Sequence, residues 1–260
     1  MVEKPPVDEP PAGAPQGGAP RPGPKRKPPV IRLGLAWTLV LGLAIVASPA
    51  LVALALVPVA AIAAQSAWRR LDTPVPEPWW LAAACAAAAP LAAIAGPVPA
   101  GVVVVAGGAV LATITARKAE AAEQVRVALC SMAPAAAASS LVLATRQSVT
   151  VGLVLFMAVS VFDASNYVMG VGDTGGRLGA LSGALALAVL SVVLAGLLVA
   201  PFSGLSPWVL CATVAVTAPL AVEAGHRLVG STRLPAWRRL DSLFIAGPLW
   251  VLLARLLTIH

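Results

Sequence analysis

The chain has 260 residues, of which 59% are hydrophobic and only 11% are charged, and its mean hydropathy is +0.88. A soluble domain of this length would carry about twice that charge and could not bury so much apolar surface. Apolar runs long enough to cross about 30 Å of hydrocarbon recur between Leu33 and Ile259, without the alternation that membrane β-strands require. The composition therefore predicts an all-α, polytopic integral membrane helical bundle.

The first 29 residues are unlike the rest of the chain. Ten of them are proline and four are glycine, and few are apolar, so a packed core is not available to them. We expect residues 1–29 to form a disordered cytoplasmic tail, followed by a transmembrane bundle over residues 30–260. The basic residues Lys25, Arg26 and Lys27 near the end of the tail either bind anionic lipid or a partner, or only fix the topology.

Charges, prolines and glycines divide the rest of the chain into nine predicted spans. The first and sixth are short for a full crossing. The spans cover approximately residues 33–47, 50–67, 79–95, 99–116, 127–144, 149–162, 179–200, 206–223 and 243–259.

The basic residues predict the orientation of these spans. If the N-terminus is cytoplasmic, 16 of the 18 lysines and arginines fall on the cytoplasmic side, and only Arg146 and Arg255 fall on the other. The net charge of +7 therefore indicates membrane topology and attraction to anionic phospholipid head groups, and not binding to nucleic acid. The sequence leaves open whether the chain forms a homo-oligomer or has a membrane-protein partner.

Small residues and prolines are concentrated in several spans. The third span contains a long alanine run, the fifth is rich in small residues over 135–140, and Pro90, Pro134 and Pro219 interrupt apolar runs. Small residues let helix backbones approach closely in lipid, and proline removes a backbone hydrogen bond. This pattern predicts a tight bundle, or helices opened around a cavity.

Acidic residues are scarce near the spans of the second half, where only Asp163, Glu223 and Asp241 occur. An ionisable group at membrane depth costs at least about 2.5 kcal/mol, so each is a candidate site residue. Asp163 is predicted to end the sixth span and to open a glycine-rich loop up to Arg177, which either approaches phosphates through backbone N–H groups or is a plain connector. For Glu223, an ion pair with the neighbouring His226-Arg227 is the simpler interpretation.

Three stretches of the second half carry polar motifs. Asp163, Tyr167 and Gly170 have the spacing Asp-x-x-x-Tyr-x-x-Gly after a membrane helix. Leu220 and Arg227 match parts of a second motif. The third reads Leu234-Pro235, then Arg239-Leu240-Asp241-Ser242-Leu243, followed by the apolar stretch 245–250.

Together these stretches resemble the phosphatidate cytidylyltransferase (CDP-diacylglycerol synthase) family over about residues 155–255. The resemblance implies a site at the cytoplasmic face in which acidic residues hold Mg²⁺ ions that bridge the CTP phosphates. It nominates Asp163, Asp241 and Arg239 as catalytic candidates, with Asp241 a metal ligand only in an active enzyme. The substrate-binding candidates that it implies are Tyr167, Gly170, Arg177, Arg227 and Ser242.

The chain departs from the family pattern where the metal should be held. Pro219 and Arg238 stand where the family has aspartates, and the lysines and glutamate of the family are missing from the stretch 177–183. Proline has no side-chain ligand and arginine repels a cation, so we expect no metal site and no bound cofactor. The sequence predicts a cytidylyltransferase-like membrane protein whose catalytic site is degraded.

Two alternatives remain open from the sequence. The first is an active CTP-dependent lipid-phosphate cytidylyltransferase with a rearranged site built from Asp163, Asp173 and Asp241. The second is an accidental resemblance in an unrelated transporter or membrane assembly subunit. In the interpretation that we favour, spans six and nine are neighbours and Asp163 lies within about 15 Å of Asp241, which is not far beyond a Debye length.

Overall fold

A computed structural model of the chain describes residues 30–69, 79–116, 120–169, 177–197, 199–229 and 236–258. The predicted disordered tail, residues 1–29, lies outside the described residues. The described residues form nine α-helices and one 3₁₀ helix, Trp237–Arg239, without strands. The α-helices are α1 (Val30–Ala47), α2 (Pro49–Trp68), α3 (Trp79–Ala95), α4 (Pro97–Thr115), α5 (Ala121–Gln147), α6 (Val149–Met169), α7 (Arg177–Gly196), α8 (Ser206–Val229) and α9 (Leu243–Thr258).

Each of the nine predicted spans corresponds to one of these helices, but the predicted end of the sixth span is wrong. Helix α6 continues seven residues past residue 162, to Met169, so Asp163 lies inside a helix and does not open a loop. The segment 163–169 is polar but contains neither proline nor glycine, so nothing in it stops the helix. With 21 residues, α6 is long enough to cross a membrane.

Six helices are long and apolar enough to cross a membrane, namely α2, α4, α5, α6, α7 and α8, and α1, α3 and α9 are shorter apolar helices. Their outward faces carry large apolar side chains. On α7, for example, Leu178, Leu181, Leu185, Val189 and Val192 are all more than half exposed and follow helical spacing. Apolar surface on this scale is expected to contact lipid, which suggests a multi-pass membrane protein.

Helix α5 is the most buried of the six long helices, and it packs against α2, α3, α4, α6, α8 and α9. Its run of alanine and serine over 135–140 is almost wholly buried, which lets neighbouring helices approach it closely. On α3, a stripe of fully buried alanines, Ala82, Ala86, Ala89 and Ala93, does the same toward α2 and α5. The small residues of α3 therefore pack closely against neighbouring helices, as the first of the two predicted alternatives requires.

From α2 to α9 each helix packs against the next one. The chain therefore runs back and forth between two ends of the helix bundle, and the connections between helices lie at these ends. The short-turn end contains the tight turns at Ser48, Gly96 and Ser148 and the turn 199–205. Ser48 and Ser148 cap the following helices, because their hydroxyls accept hydrogen bonds from the backbone N–H groups of Leu51 and Val151. The loop end contains the longer connections, including the segment that leads from α8 to α9.

Candidate functional site

Two segments that are distant in sequence meet at the loop end. The hydroxyl of Ser242, directly before α9, donates a hydrogen bond of 3.1 Å to Oδ2 of Asp163 on α6. Ser242 is fully buried, Asp163 is half-buried, and α6 and α9 are in contact. The prediction that these two helices are neighbours is therefore confirmed.

Asp241 is held next to this contact by its own local hydrogen bonds. Its Oδ1 accepts a 2.8 Å hydrogen bond from the backbone N–H of Ser242, and its own N–H donates to the carbonyl of Trp237 at 2.9 Å. Asp241 lies two residues before the first residue of α9, where an ionised carboxylate interacts favourably with the N-terminal end of the helix dipole. Through Ser242, the two carboxyl groups lie within about 9 Å of each other, as the bonded geometry of one residue and two hydrogen bonds require.

The 3₁₀ helix fixes the position of Asp241 against α8. Trp237 is 5% exposed and lies over Gly225, where an added Cβ would stand 2.9 Å from the indole Nε1 and 3.7 Å from Cβ of Asp241. Any side chain at residue 225 would therefore push the indole away. The contact between Trp237 and Gly225 therefore fixes the position of Asp241. No sequence pattern indicates either residue.

We expect Gly225→Ala to lower stability by about 1–3 kcal/mol, the usual cost of adding a methyl group to a packed contact. Alanine gains helix propensity over glycine, so the matched control is Gly101→Ala in α4, where an added Cβ meets nothing within 4 Å. The midpoints of thermal unfolding in detergent compare the two variants. Equal unfolding midpoints for Gly225→Ala and Gly101→Ala would show that the Trp237 indole can move aside without loss of stability.

The electrostatics of the site are those of a buried acid next to one basic group. Asp241 is 6% exposed, and burial raises its pKa to about 7, although the Ser242 N–H and the charge of Arg238 act in the opposite direction. Arg238 is half-buried and its charge acts on both Asp163 and Asp241. The arrangement is two carboxyl groups that are hydrogen-bonded to one serine and that both experience the positive charge of Arg238.

Among the other predicted site residues, the structure describes the side chains of Arg227 and Tyr167. Arg227 forms a 2.8 Å ion pair with Glu223 one turn earlier on α8, with both side chains more than half exposed, as the simpler interpretation of Glu223 predicts. Tyr167 is 39% exposed on α6, and the buried polar residue of that turn is Asn166. Gly170 and Asp173 lie outside the described residues, as do the side chains of Arg177 and Arg239.

The described residues do not fit the pair of Mg²⁺ ions that the family resemblance implies. Among them, no group of three histidine, cysteine, aspartate or glutamate side chains is close enough to hold a metal ion. Pro219 lies inside α8 and has no side-chain ligand, and the positive charge of Arg238 acts on both carboxyl groups and would repel a cation. Two-metal chemistry needs oxygen ligands for both ions.

Comparison with known proteins gives no match for this chain, whether with protein-family models, with curated proteins or with solved structures. The family resemblance therefore depends only on the motif residues themselves.

Proposed function

We propose that this chain is a multi-pass membrane protein with the architecture of the phosphatidate cytidylyltransferases that binds phospholipid without transferring a nucleotide. The observation that carries the proposal is the hydrogen bond from Ser242 to Asp163. It joins the two motif segments that carry the resemblance, although 79 residues separate them. Convergence of these two segments is what a shared site of that family requires.

The hydrogen bond between Ser242 and Asp163 also supports the absence of nucleotide transfer. The carboxyl groups of Asp163 and Asp241 are hydrogen-bonded by Ser242, and the positive charge of Arg238 acts on both. The other position where the resembled family has a metal-binding aspartate is Pro219. A guanidinium near two acids offsets one of their negative charges and so weakens their attraction for a metal cation. Phospholipid phosphate groups are the anions that the excess of basic residues on the predicted cytoplasmic side would attract. Release of pyrophosphate from CTP and phosphatidate tests the proposal, and none is expected.

An active transferase with a rearranged metal site is the second candidate, because Asp163 and Asp241 do converge. Such a site would need at least one further acid, and Asp173 is the candidate from the sequence. Turnover that depends on Mg²⁺ and disappears in both Asp241→Asn and Asp173→Asn would favour this candidate over the first.

The proposed orientation has the N-terminus and the loop end in the cytoplasm. It is supported by the basic residues, since 16 of 18 fall on that side of the predicted topology. In a chain whose native cysteines are replaced by alanine, new cysteines at Ala12 and at Ser203 should react with a membrane-impermeant maleimide from opposite sides. Labelling after lysis is the control for reactivity. Modification of both from one side of intact membranes would refute the topology.

A further inference from the structure

A large groove lies at the short-turn end, away from the acidic site. Helices α4 and α9 both pack on α5 but have almost no contact with each other, so α5 forms the floor of the space between them. The lining residues on each helix follow the spacing i, i+3, i+4, i+7, which is one face of a helix. They include Pro97, Ala100, Gly101 and Val104 on α4, Ala136, Ser139, Ser140 and Leu143 on α5, and Pro248, Val251, Leu252 and Arg255 on α9.

The groove has the size and the chemistry of a site for an apolar chain. Its volume is about 960 Å³, at the upper end of the range of about 300–1,000 Å³ for ligand pockets. The hydroxyls of Ser139 and Ser140 donate to carbonyls of their own helix at 2.7 Å, so the floor offers no unsatisfied donor. Small residues on α4 and α5, which usually bring helices together, here leave the space open.

Two arginines lie at the mouth of this groove. Arg146, in the last turn of α5, and Arg255, in the last turn of α9, both line it and are both exposed. Within the described ranges they are the only charged side chains at the short-turn end, and neither forms an ion pair there. Basic residues are usually concentrated on the cytoplasmic side of a membrane protein, and this end is predicted to be non-cytoplasmic. The position of Arg146 and Arg255 at this end therefore indicates a specific role for them.

The mouth is built by defined contacts. The guanidinium of Arg146 lies over Gly96, where an added Cβ would stand 2.9 Å from Nη1 and where the backbone φ of +146° favours glycine. The amide of Gln147 donates a 2.9 Å hydrogen bond to the carbonyl of Val251, which ties the end of α5 to α9. These contacts hold both arginine-bearing helix ends at one opening.

We propose that this groove binds one anionic membrane phospholipid, with its phosphate between Arg146 and Arg255 and an acyl chain along the floor of α5. Charge complementarity selects the head group, and the apolar lining selects the chain. The inference rests on the proposed membrane setting of the protein but not on any feature of the acidic site.

The test is native mass spectrometry of the purified protein titrated with phosphatidylglycerol or with phosphatidylcholine of the same acyl chains. The wild type should retain phosphatidylglycerol more tightly. Arg146→Gln and Arg255→Gln should each weaken its binding about fivefold, because a basic side chain at an anionic lipid contributes about that factor. The charge-matched control, Arg69→Gln at the loop end, should leave the affinity unchanged.

A second variant tests the groove itself. Gly101 lines it and an added Cβ there meets nothing within 4 Å, so Gly101→Leu should fill the groove without disturbing the helices and should weaken binding of both lipids. Gly196→Leu, equally open at the end of α7, is the matched control. Equal retention of the two lipids by the wild type, or unchanged binding in Gly101→Leu at an unchanged melting temperature, would overturn the proposal. A homodimer that Gly101→Leu dissociates would also overturn it, because a second chain would then occupy the groove.

Discussion

The purified protein, supplied with CTP, phosphatidate and Mg²⁺ in liposomes, should release no pyrophosphate above a protein-free blank. The expected loss of catalytic rate is large. Metal ions stabilise the transition state of phosphoryl transfer by several kcal/mol each, and every 1.4 kcal/mol or so is a factor of ten in rate. If the proposed resemblance is right, Pro219 and Arg238 stand where the family has metal-binding aspartates, and several orders of magnitude in rate should be lost relative to an active enzyme.

The assay needs two comparisons. An active cytidylyltransferase in the same liposomes shows that substrate and product are accessible. Asp241→Asn keeps an oxygen that can accept the Ser242 N–H but removes the negative charge, so in a silent protein it should be indistinguishable from the wild type. Turnover that requires Mg²⁺ and is abolished by Asp241→Asn would reject catalytic silence and indicate a metal site rebuilt around the two aspartates.

Apolar length predicts the helices of this chain well, and for a physical reason. A helix that crosses a bilayer satisfies its backbone hydrogen bonds internally, so it follows the whole length of an apolar stretch, and α3, α5 and α8 continue through Pro90, Pro134 and Pro219. The third predicted span, 79–95, has the bounds of α3, and the ninth differs from α9 by one residue. The sixth is misjudged because polarity at Asp163 resembles a boundary, whereas the backbone stays helical until the glycines begin.

The candidate site is predictable only in part. The proximity of Asp163 and Asp241 follows from the motif residues, because those motifs resemble one family site. The packing of Trp237 over Gly225 and the groove between α4 and α9 carry no local signal. They depend on which helices pack together, and small residues such as Ala100 and Gly101 are compatible with either a close contact or an open space. The only sequence hint of the groove is that Arg146 and Arg255 oppose the charge asymmetry.

The stability of the folded protein should depend on pH through Asp241. Its pKa is about 7 in the folded protein and about 3.9 in an unfolded chain. Between those values the folded protein holds a proton that the unfolded chain has released. Stability from this group is therefore highest at low pH, falls as the pH rises through the window, and reaches its minimum above about 7.

Asp241→Asn should remove this dependence, because the amide cannot ionise but still accepts the Ser242 N–H. Each pH unit of the window corresponds to about 1.4 kcal/mol, so the variant should gain up to about 4 kcal/mol on the wild type between pH 4 and pH 8. Thermal unfolding in detergent at pH 5 and pH 8 measures most of that gain. Asp163 and Arg238, the charged groups that interact with Asp241 in the electrostatics of the site, are present in both proteins. The control is Glu223→Gln, whose exposed ion pair with Arg227 contributes about 0.5 kcal/mol. An equal offset between Asp241→Asn and the wild type at both pH values would mean that Asp241 is ionised throughout, and that the guanidinium of Arg238 outweighs the effect of burial.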